Sequence, residues 1–132
     1  MDRLFLDANV LFSAAYRSDS GFLQFWKLQD VVLCSSRYAL QEAKLNLTEE
    51  EQEHRLAQLA RKLQLFEALP GQLPGGVLLP PKDIPILLAA MEAGATHLIT
   101  GDKRHFALYS GKTIAGILVQ PPAAYLKTRS SR

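Results

Sequence analysis

The 132-residue sequence holds a single cysteine, Cys34. A lone thiol excludes a disulfide framework and a cysteine metal cluster within one chain, and fits a reducing cytosol. No apolar run comes near the about 18 residues that a membrane span needs, and the run at residues 4–6 is too short for a signal peptide. The expectation is a cytoplasmic protein with no membrane partner. No Gly-x-Gly-x-x-Gly follows the first apolar segment, so dinucleotide binding in the Rossmann manner has no support. Charge of one sign is scarce as well: 15 Lys+Arg against 13 Asp+Glu leave a net charge of +2. That neither demands nor excludes a nucleic acid, because local clustering matters more than the sum. What is present is ordinary, with 48% hydrophobic and 21% charged residues, as in a globular protein. The length suits one domain over residues 1–132, with a basic tail at 127–132.

Apolar periodicity then orders the chain. Residues 3–6 read as a strand that stops at Asp7, which can cap a helix carrying Val10, Leu11, Ala14 and Ala15. Phe22, Phe25 and Trp26 mark one face of a second helix, as core rather than as a base-stacking platform. Residues 31–34 form a buried strand. Ser35 or Ser36 caps the helix that follows, which carries Ala39, Ala43 and Leu47 on one side and Tyr38, Glu42 and Leu45 on another. Thr48 and Glu51 predict a capping box, ahead of a helix with Leu56, Leu59, Ala60 and Leu63 inward. Residues 65–69 read as a third strand. Residues 70–81 hold four of the seven prolines and three glycines, hence a loop. Asp83 opens a helix with Ile84, Leu87, Leu88 and Met91 buried. A short apolar strand at 97–100 ends before Gly101 and Asp102, and the last strand lies within 114–119. Pro121-Pro122 starts a final helix. Alternating elements with strands too apolar to face water predict an α/β fold, a parallel sheet covered by helices through right-handed crossovers.

In such sheets ligands bind at the carboxyl ends of the strands. Asp7 and Asp102 each follow a strand, Asp83 begins the helix before the fourth strand, and Glu42 lies early in the helix after the second. All four can reach one edge. Singly, each Asp reads as a cap or turn residue and Glu42 as a surface acid; together they are costly. Two carboxylates ~4 Å apart repel by about 4 kcal/mol at an effective dielectric of 20, which protons or a cation must relieve. All-oxygen donors suit Mg²⁺ or Mn²⁺ better than zinc, and such ions promote hydrolysis of phosphodiesters. Lys82, Lys103 and Arg104, with Arg37 and Lys44, flank these acids as candidate contacts for an RNA backbone. An aspartyl-phosphate route would need a second Asp where the chain has Asn9.

These residues resemble a PIN domain over nearly the whole chain. The likeness is carried by Leu-Phe-Leu-Asp7-Ala-Asn9-Val-Leu, by Glu42 in Tyr-Ala-Leu-Gln-Glu-Ala, by Asp83 in Lys-Asp-Ile-Pro-Ile-Leu-Leu-Ala-Ala, by Leu-Ile-Thr-Gly-Asp102-Lys-Arg-His-Phe, and by the closing Val-Gln-Pro-Pro-Ala-Ala-Tyr-Leu. The resemblance implies a three-layer α/β/α sandwich around a parallel sheet of about five strands, and Mg²⁺- or Mn²⁺-dependent endoribonuclease activity. It implies that Asp7, Glu42, Asp83 and Asp102 hold metal and activate water, with Asn9 and Thr100 holding those carboxylates in place. It further implies a homodimer and the toxin half of a toxin–antitoxin pair, with an antitoxin as partner. The chain departs from the pattern at His105, which stands where many relatives carry a further acid and which can instead meet substrate. That departure leaves an alternative expectation, an inactive PIN fold serving as an RNA- or protein-binding module.

Overall fold

The computed structural model describes residues 1–69, 71–101, 106 and 109–130. Strands β1 (Asp2–Leu6), β2 (Val31–Ser35), β3 (Gln64–Leu65), β4 (His97–Ile99), β5 (Thr113–Ile114) and β6 (Ile117–Gln120) form one sheet, in the order β3-β2-β1-β4-β6-β5. Helices α1 (Ala8–Tyr16), α2 (Arg37–Asn46), α3 (Glu50–Ala60), α4 (Ile84–Glu92) and α5 (Pro122–Ser130) cover it. Pairing is parallel throughout except between β5 and β6. The chain steps from β1 outward to β2 and β3, then returns to β4 and steps outward the other way. Right-handed crossovers in opposite directions lay their helices on opposite faces, which produces the three-layer α/β/α arrangement.

Burial explains why β1 and β4 sit in the middle. Leu4, Phe5, Leu6, Leu98 and Ile99 are each 0% exposed, so these strands need cover on both faces. On α1, Val10, Leu11, Ala14 and Ala15 form its inward stripe, and α1 packs on α2 and α3. Among the described residues no helix is long and apolar enough to cross a membrane.

Several expectations are corrected. The sheet has six strands rather than about five, because the segment read as one last strand is a hairpin. Ala115 (φ 52°) and Gly116 (φ 80°) make its two-residue turn, and positive φ at both positions matches the twist of the flanking strands. The third strand is only Gln64–Leu65 at the exposed edge, not residues 65–69. The second helix is a 3₁₀ segment, Gly21–Lys27, with Phe25 as its fully buried side chain. The capping box of α3 uses Glu49 and Gln52, not Thr48 and Glu51. Gln52 is buried because its amide also donates to the Tyr16 carbonyl at 3.2 Å, and that tertiary bond sets where the helix begins.

Cys34 sits in β2 with no exposure, and burial pushes its thiol pKa up against a smaller downward pull from Arg3. The thiolate is the reactive form, so native protein is expected to resist a disulfide reagent and to label fully in denaturant. Rapid native labelling, followed by thiol absorbance, would contradict this packing.

Candidate active site

The sheet reverses its strand order between β1 and β4. In open α/β sheets a crevice lies outside the carboxyl ends of the strands at such a reversal. Asp7 is the first residue past β1, and its N–H donates to the Ile99 carbonyl at 3.0 Å, so β4 fixes its position. The side chain is 4% exposed. One carboxylate oxygen accepts from Ala8 N–H at 2.7 Å, which is the helix cap expected of it. The other accepts from Thr100 Oγ1 at 2.8 Å and from Asn9 Nδ2 at 3.3 Å.

Asn9 ties the two strand ends together. Its Oδ1 accepts from Gly101 N–H at 2.9 Å, and its amide also reaches Thr100 Oγ1 at 3.3 Å. The backbone donor at Gly101 dictates which way the amide faces, leaving its NH₂ toward the Asp7 carboxylate. Replacing Thr100 with valine keeps the volume and deletes the donor to a buried charge. The expected cost is about 1–3 kcal/mol, read by chemical denaturation; an unchanged stability would mean that the bond contributes nothing.

Asp83 arrives from the other side of the crevice, at the end of a 3₁₀ turn, Pro81–Asp83, that leads into α4. It is 6% exposed, and it makes no side-chain bond to cap the helix. The local backbone explains this. A capping residue has an extended backbone of its own, whereas Asp83 is helical (φ −94°, ψ −14°), and Pro85 further removes one of the amides that a cap could bond. The Asp83 carboxylate faces a cavity of about 470 Å³ instead.

The same cavity is lined by Asp7, Asn9, Phe12, Glu42 and Lys82. Glu42 is half-buried on α2 and lies one turn beyond Tyr38. Among the described residues no three carboxylate, imidazole or thiol groups lie close enough together to hold a metal ion; Asp7, Glu42 and Asp83 line one open cavity.

Tyr38 is a residue that the sequence did not single out for the site. Its hydroxyl donates to the Lys82 carbonyl at 2.9 Å. Its pKa is pushed up to about 12 by burial first, then by hydrogen bonding to Glu42 and by the negative charge of Glu42, Asp83 and Asp7. The Lys82 carbonyl and the Glu42 carboxylate are both acceptors, and one O–H serves one at a time, so the phenol keeps its proton for either. The only signal in the sequence is its i, i+4 spacing to Glu42. Below its ordinary value of 10 the phenol is neutral in the folded and the unfolded chain. Between pH 10 and about 12 the unfolded chain loses this proton while the native one keeps it, so that share of stability falls as pH rises. Phenolate absorbance is expected to show one late-titrating tyrosine that is absent from Tyr38→Phe; identical alkaline titrations would contradict the assignment.

Two basic residues expected at the acids are not there. Arg37 pairs with Glu67 at 3.5 Å on the open surface, and Arg37 and Lys44 line a groove between α2 and α3. Both project from the side of α2 away from Glu42. Asp102, Lys103, Arg104 and His105 lie outside the described residues, as does the end of the basic tail, 131–132.

No family model and no curated protein matches the chain. Among solved structures it is similar to a chain in the crystal structure of VapBC2 from Rickettsia felis bound to a DNA fragment from their promoter. The likeness has a TM-score of 0.66 at 15% identity and covers 90% of this chain and 98% of that one. At that identity it is a likeness of fold, and the PIN-like architecture resembled in the sequence is the one observed.

Proposed function

We propose that the protein is a Mg²⁺- or Mn²⁺-dependent endoribonuclease of the PIN type, acting as the toxin of a toxin–antitoxin pair. The observation that carries this reading is the convergence of Asp7, Asp83 and Glu42 on one cavity at the sheet's switch point. Two of these acids, Asp7 and Asp83, are buried. Carboxylates gathered in this way repel one another unless a cation joins them.

The donors fit such an ion. Apart from Lys82, the polar side chains lining the cavity end in carboxylate or amide groups, and no histidine or cysteine is among its described lining residues. Mg²⁺ commonly takes one or two carboxylates and keeps several waters, which agrees with an open cavity rather than a closed cage. Asp7 and Asp83 would hold it beside Glu42, and Asp102, which follows Gly101 in the sequence, is the further ligand in this reading. When bound, the ion supplies positive charge against the phosphate and makes water a stronger nucleophile at neutral pH.

The chain's own groups do the rest. Thr100 and Asn9 hold the Asp7 carboxylate in one orientation. Glu42 accepts the proton of the attacking water. Tyr38, kept protonated, fixes Lys82 through its carbonyl, and the Lys82 ammonium meets backbone phosphate. Lys103, Arg104 and His105 are further substrate contacts in this reading. An antitoxin partner and a homodimer belong to it as well. It gains support from the shared fold with a chain of the VapBC2 structure.

A second reading, a noncatalytic RNA- or protein-binding module, draws on the absence, among the described residues, of any three such groups placed to hold a metal ion. One experiment separates the two. Purified protein is incubated with RNA in Mg²⁺, in Mn²⁺ and in chelator, with metal binding followed by calorimetry. Cleavage that needs the ion supports the nuclease. RNA retention with no cleavage and no heat of metal binding supports the module.

A further inference from the structure

We infer that the aromatic side chains on the outer face of α1 form a stacking subsite for an unpaired nucleobase, one that adjoins the carboxylate cavity; this rests on the nuclease reading. Asn9, Phe12 and Tyr16 follow one another at spacings of three and four, so they share one face of α1. Asn9 lies at the acids. Phe12 is a common wall: it lines the carboxylate cavity and also a second cavity of about 380 Å³. That second cavity is completed by Ser13, Tyr16, Arg17 and, from the 3₁₀ segment opposite, Phe22.

Phe12 and Phe22 pack their inner edges against the core, and Tyr16 stands at the surface beside them. Phe12 and Tyr16 have centroids 5.4 Å apart with planes tilted by 37°. Tyr16 is 50% exposed, and Phe12 and Phe22 are half-buried. By contrast Phe25, from the same 3₁₀ segment as Phe22, is wholly covered. Helical rise puts Tyr16 roughly 10 Å from Asn9, so a strand held by its phosphate at the acids can carry the next base past Phe12 and onto Tyr16. Exposed rings stack any base by its π face. Arg17 supplies a cation at the rim; its pairing with Asp19 at 3.4 Å is fully on the surface and so is readily exchanged for a phosphate.

A nucleobase is favoured over an apolar peptide because the groove adjoins the carboxylate cavity at Phe12 and carries a hydroxyl and a guanidinium beside its rings. A base locked in a duplex cannot reach such a platform, so the site selects RNA that is unpaired at this nucleotide.

The test uses RNA carrying a fluorescent adenine analogue at successive positions around the cleaved bond. Binding is read in chelator by fluorescence quenching, and cleavage is read separately with Mg²⁺. Quenching is expected at one position next to the cut and is lost in Tyr16→Ala but kept in Tyr16→Phe. Phe12→Leu, which holds the helix packing, is expected to weaken it. Tyr16→Ala is expected to raise KM about 10-fold with kcat little changed. Cleavage that proceeds with no position quenched, or with KM unchanged in Tyr16→Ala, overturns the subsite and leaves the nuclease standing. Quenching that depends on Tyr16 in a protein that cleaves no RNA under any divalent ion keeps the subsite and removes the nuclease. Protection of Tyr16 by a protein partner without any effect of Tyr16→Ala on RNA overturns it in favour of a partner surface.

Discussion

Replacing Asp7 with asparagine is expected to lower metal-dependent RNA cleavage by about 10³-fold while leaving the fold intact. The magnitude follows from the several kcal/mol that a correctly held ion contributes to a phosphoryl transition state, at 1.36 kcal/mol per decade of rate. The substitution removes a charge and a ligand atom in one step. It also places an amide NH₂ where Thr100 and Asn9 now donate, so at least one hydrogen bond is lost at a cost of about 1 kcal/mol. Initial rates at saturating Mg²⁺, with circular dichroism alongside, measure both effects. A variant that folds and cuts at the wild-type rate would remove Asp7 from the reaction and leave it as a helix cap.

Asp83→Asn is expected to abolish the stabilisation that divalent ions confer. A ligand present at 100 times its Kd raises stability by about 2.7 kcal/mol, which in a chain of this size lifts Tm by roughly 10 °C. Wild-type protein should show that rise on adding Mn²⁺, and Asp83→Asn should melt at one temperature with or without it. In chelator the variant is expected within about 1 kcal/mol of wild type, since the amide has the same shape and there is no cap bond to α4 to lose. If the variant is weakened in chelator yet still gains the full Mn²⁺ increment, Asp83 serves the helix start rather than the ion.

The two aspartates differ in how readable they were. Asp7 was expected as a cap and is one, and its second oxygen carries the further bonds; the two roles coexist because a carboxylate has two oxygens to give. Asp83 was also open to a cap reading; the 3₁₀ turn that delivers it sets its backbone in the helical region, where a side-chain cap does not form, and Pro85 is only part of the reason. Arg37 and Lys44 were assigned by closeness in sequence to Glu42. A helix turns about 100° per residue, so neighbours in sequence point apart, and both project away from the acids. Tyr38 went unassigned because an i, i+4 pair on a helix is commonplace; only the approach of the Lys82 carbonyl makes it part of the cavity wall. Of the aromatic face expected as core, Phe25 is wholly buried, and Phe22 and Trp26 are partly buried against the core.

Taken by itself, the order of residues determined which segments become strands and helices, that β1 and β4 are apolar enough to be buried, and that carboxylates follow strand ends. Those properties depend on periodicity within a few residues, where propensity and burial act locally. Tertiary structure alone decided that β1 and β4 lie side by side, so that Thr100 donates to Asp7 across 93 positions and Tyr38 meets Lys82 across 44. It also decided that Phe12 walls two cavities at once. Contacts of that kind require the loop-closure entropy of long chain segments to be overcome by the burial of the whole core, and no local pattern encodes that sum.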